Sequence, residues 1–253
     1  MRKPQIEVAS DAQDLALRAV RLFVSLAGQA VADRGVFRTA FSGGHTPELF
    51  FRRLATESAG MPWDKTHVFW VDERYVPPDS SDSNYRLAAE MLLTHVEIPE
   101  TNVHRIPTEF ADAGEAALAY ERTIRDVFGL TAGATHVSSV PRFDLILLGM
   151  GSDGHTASLF PNSSVVYDAE DLARVVHVGA EVKPQVDRIT LTPPVLLAAR
   201  RLVVLVSGRE KAETLRDVFA GESSESRYPI RLLWPALDRV TWLVDQAAAE
   251  KLA

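Results

Sequence analysis

An apolar run that breaks into three glycines, residues 143–161 (FDLILLGMGSDGHTASLFP), leaves this chain few folds to choose from. Phe143 to Leu148 has the length and β-rich character of a buried parallel strand. Gly149, Gly151 and Gly154 end it, and Asp153, His155, Thr156 and Ser158 crowd the same turn. A strand closed in this way carries backbone N–H groups and polar side chains to the carboxyl edge of a sheet. In open α/β proteins that edge is where ligands bind.

The rest of the chain repeats the strand, turn and helix theme. Residues 6–9 are β-like, and Ser10 and Asp11 are N-cap residues for a helix. Apolar residues from Leu15 to Ala30 then recur at three- and four-residue spacing, predicting a long amphipathic helix to about Asp33, ended by Gly35. Residues 37–41 form a strand, followed at once by Ser42-Gly43-Gly44-His45-Thr46-Pro47 and a helix. Residues 66–71 form the next strand, ending in Asp72-Glu73-Arg74, with a helix from Asn84. A short strand at 103–106, a helix at 113–128 and an irregular stretch at 129–141 lead to the 143–148 strand. Beyond it, strands are expected at 175–178, 201–206 and 240–244, with a short helix from Pro193 and another whose first turn holds Lys211. This alternation predicts an α/β class with a mostly parallel sheet and helices on both faces. The expected organisation is one domain over residues 1–253, with a small subdomain admitted in the later part.

Composition excludes several roles. A net charge of −7 argues against nucleic-acid or anionic-membrane surfaces, which need clustered Lys and Arg. An anionic ligand must therefore be held by a few local cations and backbone donors. Without cysteine there are neither disulfides nor thiolate metal sites. No signal-peptide core and no run of about 18 apolar residues is present, so a cytoplasmic setting is expected.

The motifs are read against their simpler alternatives. Gly149 to Gly154 fits G-x-G-x-x-G, yet Pro161 follows too soon for a crossover helix and the next strand lacks a terminal acid, so a dinucleotide is not expected. Ser42-Gly43-Gly44 at a strand-to-helix junction suits a phosphate, though a plain tight turn is the alternative. Of Asp72, Glu73 and Arg74 only some can face one site, since neighbours on a strand point oppositely. Arg188 and Lys211, taken singly, read as solvated surface cations. His45, His67, His95, His104, His136 and His177 lack ligand spacing, and H-x-H and H-E-x-x-H patterns are missing, so no metal is expected.

On the segments SGGHTP (42–47), VDERYVP (71–77), SDSNYRLA (81–88), LGMGSDGHTASLFP (148–161), RITLT (188–192) and SGREKAETL (207–215), the chain resembles the 6-phosphogluconolactonase family. That family belongs to a superfamily shared with glucosamine-6-phosphate isomerases. His45 departs from the pattern, where a small polar residue is more usual. The resemblance implies a Rossmann-like α/β fold, no cofactor, and hydrolysis of 6-phospho-D-glucono-1,5-lactone to 6-phospho-D-gluconate in the oxidative pentose phosphate pathway. For that substrate the residues themselves offer His155 as general base, with Asp153 or Asp72 to fix its tautomer or hold substrate hydroxyls. Ser42, Gly43, Gly44, Arg74 and Lys211 are the candidates for the phosphate, and Arg188 a helper for phosphate or oxyanion. The expected partner is a small sugar-phosphate lactone, without nucleic acid or membrane, and the oligomeric state is left between monomer and weak dimer. Glucosamine-6-phosphate deamination, or non-catalytic sugar-phosphate binding on the same fold, are the alternatives.

Overall fold

Chain order gives β1 (Gln5–Ala9), α1 (Ala12–Arg34), β2 (Phe37–Phe41), α2 (His45–Glu57), β3 (Thr66–Trp70), β4 (Asp72–Arg74), α3 (Asn84–Met91), β5 (Val103–His104) and α4 (Ala113–Phe128). There follow β6 (Leu145–Gly149), β7 (Ala173–Val176), β8 (Arg188–Leu191), α5 (Pro193–Ala198), β9 (Leu202–Val206), α6 (Ala212–Phe219), β10 (Val240–Asp245) and α7 (Gln246–Ala249). The structure is a computed structural model and describes residues 4–130, 140–168, 170–220 and 224–252. Most of the expected 129–141 loop, and His136 with it, lies outside the described residues.

Seven strands form a parallel sheet in the order β1-β10-β9-β6-β2-β3-β5. From β2 the chain proceeds outward to β3, and from β6 it proceeds the other way to β9. The direction of winding therefore reverses between β2 and β6, which opens a crevice at their carboxyl ends.

Side-chain alternation assigns the two faces. Phe37 and Phe41 of β2 meet Phe23 of α1, and Phe41 also meets Phe50 and Phe51 of α2. Arg38 points oppositely, its guanidinium 5.0 Å from the Phe128 ring of α4. Trp242 of β10 packs on Phe219 of α6. Its register partners Val204 and Leu148 put that contact on the α4 side. Tyr120 of α4 is fully buried, and its hydroxyl bonds both the N–H and the carbonyl of Trp70.

Helix α1 ends as its sequence dictates. Asp11 accepts from the N–H groups of Gln13 and Asp14, and Gly35, left-handed at φ 74°, donates to the Val31 carbonyl. By length and composition α1 could cross a membrane. The absence of an unbroken apolar run did not anticipate this. Its buried stripe, from Leu15 through Phe23 to Ala30, belongs to the core of the sheet.

The Asp72–Arg74 segment departs from expectation. It does not close β3 but forms a strand of a second, antiparallel sheet, ordered β4-β8-β7. Val71 joins the two sheets: its N–H donates to Phe41 and its carbonyl accepts from Leu191.

Candidate active site

Three loops from neighbouring strands meet at the crevice. They follow β2, β6 and β9, and together with β4 and the start of α3 they line a cavity of about 290 Å³. Its walls include Ser42, Gly43, Gly44, Asp72, Arg74, His155 and Lys211, all expected from the sequence. Asn84, Ser207 and Glu210 also line it and were not foreseen.

The first loop leaves β2 with the Ser42 N–H bonded to the Leu147 carbonyl, which ties it to β6. Gly44 sits at φ 107°, where a side chain is strained, and turns the chain into α2 without any side-chain cap. The N–H groups of His45 and Thr46, at the positive end of α2, therefore border the cavity without a side-chain cap. Ser42 is buried, with an Oγ that has no hydrogen-bond partner. His45 begins α2 at the mouth, largely exposed, with Nδ1 4.0 Å from Glu48.

The second loop is the glycine turn. Gly151 N–H donates to the His155 carbonyl and Gly154 N–H to the Gly151 carbonyl, so the turn closes on itself. No helix follows, only the bridge Thr156–Leu159, which separates the segment from a dinucleotide motif. The fold of this turn brings the His155 ring back over Gly151. A methyl group at 151 would lie 2.2 Å from Nδ1. Asp153 Oδ1 accepts from the backbone N–H of His155 at 3.1 Å and stands 2.6 Å from its Nδ1. Burial works to raise the Asp153 carboxyl, but the His155 hydrogen bond and charge outweigh it and hold the group below its ordinary range. A carboxylate can only accept, so Nδ1 is the donor of this pair, and in a neutral ring the proton-free nitrogen is Nε2. Phe160 packs against the ring with centroids 4.8 Å apart.

Of the two carboxylates considered for orienting His155, Asp153 makes the contact. Asp72 is buried in the cavity wall and accepts from Ser158 Oγ at 2.7 Å. Arg74 lies beyond it, one Nη bonded to the Asp82 carbonyl. Glu73 points away, as alternation along a strand requires.

Two expected site residues do not line the cavity: Asp153, which reaches it only through His155, and Arg188. Arg188 is buried, and its terminal nitrogens donate to the carbonyls of Val186 and Pro184, each at 2.9 Å. Yet it stands directly across from Arg74 in the β4–β8 pair. Burial, then the Arg74 charge, lowers its pKa. Two cations opposed across a strand pair repel, which favours an anion nearby. The imidazoles of His67 and His104 are bonded to each other at 2.9 Å on β3 and β5, and His177 meets Asp187.

Fold and site define an α/β protein whose switch-point crevice joins an anion-receptive turn to a histidine–carboxylate pair. A family model described as glucosamine-6-phosphate isomerases/6-phosphogluconolactonase matches residues 10–242. A 6-phosphogluconolactonase of Synechocystis sp. is 41% identical, with 98% of each chain covered. One of Mycobacterium tuberculosis is 37% identical, again over 98% of each. The solved structure of the Trypanosoma brucei 6-phosphogluconolactonase superposes with a TM-score of 0.87 over all of both chains, at 31% identity. The chain belongs to the 6-phosphogluconolactonase family within that superfamily.

Proposed function

We propose that His155, oriented by Asp153, activates the water that opens 6-phospho-D-glucono-1,5-lactone to 6-phospho-D-gluconate, the second step of the oxidative pentose phosphate pathway. Lactone hydrolysis follows from the family; the part played by each residue is our reading. The observation that carries it is a histidine held through Nδ1 by a carboxylate and sharing one cavity with Arg74, Lys211 and the uncapped start of α2.

The substrate has a phosphate at one end and an ester carbonyl at the other. The phosphate rests on the N–H groups of Gly43 and Gly44, the Ser42 hydroxyl, Arg74 and Lys211. Arg188 adds its charge from behind the wall without direct contact. Asp72 accepts from a sugar hydroxyl. Nε2 of His155 takes a proton as the water oxygen bonds to the lactone carbonyl carbon. The tetrahedral oxyanion then collapses, the bond to the ring oxygen breaks, and the same nitrogen returns the proton to that oxygen. The product acid loses its proton to solvent. A δ-lactone is reactive enough that no covalent nucleophile is required.

No cofactor enters this scheme, and one domain in a cytoplasmic setting suffices for it. Full activity is expected after dialysis against a chelator; activity lost there and restored by a divalent ion would overturn that expectation. The function is tested with freshly made lactone, phosphorylated and unphosphorylated, with spontaneous hydrolysis subtracted. Hydrolysis well above background, faster for the phosphorylated form, is the expected result. Ammonia released from glucosamine 6-phosphate without lactone hydrolysis points to a deaminase. Ligand binding with lactone decay at its spontaneous rate points to a non-catalytic binder.

A further inference from the structure

Glu73 is only 2% exposed and forms no ion pair among the described residues, yet it accepts four hydrogen bonds. One carboxylate oxygen takes the N–H groups of Arg74 and Asn84, each at 2.7 Å. The other takes the Ser83 hydroxyl at 3.0 Å and the Tyr85 N–H at 2.8 Å. Both oxygens face donors, so an amide in this place would turn its NH₂ against N–H or O–H groups. The position calls for a carboxylate.

Asn84 extends this arrangement to the other side of the cavity. Its side chain is buried and bonds the Asp72 carbonyl at 2.9 Å. A carbonyl only accepts, so the atom facing it is Nδ2, and Oδ1 must point the other way. That oxygen is buried without a partner and lies against Gly43, where an added methyl would come within 1.8 Å of it. Gly43 is glycine because Asn84 occupies the space of a side chain. Three walls of the cavity, the Arg74 backbone, the Asp72 carbonyl and the glycine turn, thus meet on one acidic residue and one amide.

We propose that Glu73 is a positioning residue, which through Asn84 sets the distance between the Ser42–Gly44 turn and Arg74. The kinetic readout rests on the lactonase reading above; the proposal itself concerns the ligand-free protein. An ordinary helix cap for α3 is the competing account. It separates cleanly, because Asn84→Ala keeps the backbone N–H that Glu73 caps and removes only the side-chain link between the Asp72 carbonyl and Gly43.

The test is ¹⁵N relaxation of the ligand-free wild type, Glu73→Gln and Asn84→Ala, with lactone kinetics on the same samples. In both variants the order parameters of Gly43 and Gly44 are expected to fall from the rigid range near ~0.85 to below about 0.6. KM for the phosphorylated lactone is expected to rise about tenfold with kcat within about threefold, the pattern of lost binding. Gly43 and Gly44 as rigid in Asn84→Ala as in wild type would overturn the proposal, whatever happens to the melting temperature. Should Glu73→Gln fail to fold, Asn84→Ala still decides. A wild type that does not hydrolyse lactone would sink the functional reading, while the order parameters would still judge this one.

Discussion

At the scale of the residue, the proposed chemistry concentrates on His155. Its ring is held from one side by Asp153 and from the other by Phe160, so removal of the imidazole should disturb little beyond the reaction. A positioned general base is worth about 10²- to 10⁴-fold, or roughly 3–5 kcal/mol of barrier. His155→Ala is expected to lower kcat by that factor with folding unchanged, and His155→Asn to be as inactive, since an amide cannot take the proton. A folded His155→Ala protein within threefold of wild type would remove this histidine from the mechanism. For Arg74 and Lys211 the expectation is discrimination. Charge-assisted hydrogen bonds to a phosphate contribute about 1.5–3 kcal/mol each. Arg74→Ala and Lys211→Ala should therefore cost about 10- to 150-fold in kcat/KM on the phosphorylated lactone and far less on gluconolactone. Equal losses on both substrates would deny that residue a phosphate contact.

At the scale of the element, the glycine turn after β6 is a device for folding a histidine back over its own loop. Gly151 makes room for the ring, and Gly154, at φ +79°, packs so close to Tyr228 that a methyl there would meet it at 2.5 Å. The two positions differ in kind. Gly154 is constrained by its backbone, whereas a side chain at 151 collides only with movable side-chain atoms of His155 and Asp153. Gly151→Ala should therefore fold normally while pushing the ring off its aspartate. Misplacement by about 1 Å can cost roughly 10²-fold. The check is kcat alongside thermal unfolding: a large loss of kcat with an unaltered melting curve is expected. Unchanged turnover would mean that the ring does not need this position.

At the scale of the whole molecule, acid should weaken the fold through the far edge of the sheet. His104, on β5, has its pKa lowered to about 4, first by burial and then by the neighbouring His67. His67 is itself lowered, by burial and then by Arg38. For a base with a depressed folded value the sign is fixed: the unfolded chain binds protons first. Stability is full above the ordinary imidazole value of about 6.5. It declines as the pH falls from there toward about 4, where His104 is itself protonated in the folded state. Unfolding midpoints measured across that window should drop for the wild type and flatten for His104→Gln. The same slope in both proteins would assign the acid sensitivity to other groups.

What the amino-acid order determined by itself was local: where strands and helices lie, and which turns carry glycines and polar side chains to the sheet edge. Helix α1 ends on Asp11 and Gly35 because caps are written in neighbouring residues. Likewise β2 spans the expected residues 37–41, and the glycine turn lies where an apolar strand must stop. Such signals act over a few residues, so periodicity and turn chemistry are enough to read them. Long-range pairing was left to the tertiary structure. Only the winding of the sheet brought residues 42–44, 151–155 and 207–211 to one crevice. Only the second sheet turned Asp72 and Arg74 inward and Glu73 away, and drew Arg188 behind the wall. The choice of Asp153 over Asp72 as the partner of His155 came from the same source. Both are carboxylates at strand ends, and only their positions in space separate a 2.6 Å contact with the ring from a bond to Ser158. Asn84 carried no signal of its own, because its importance lies in touching Gly43, a residue 41 positions earlier whose proximity no local pattern encodes.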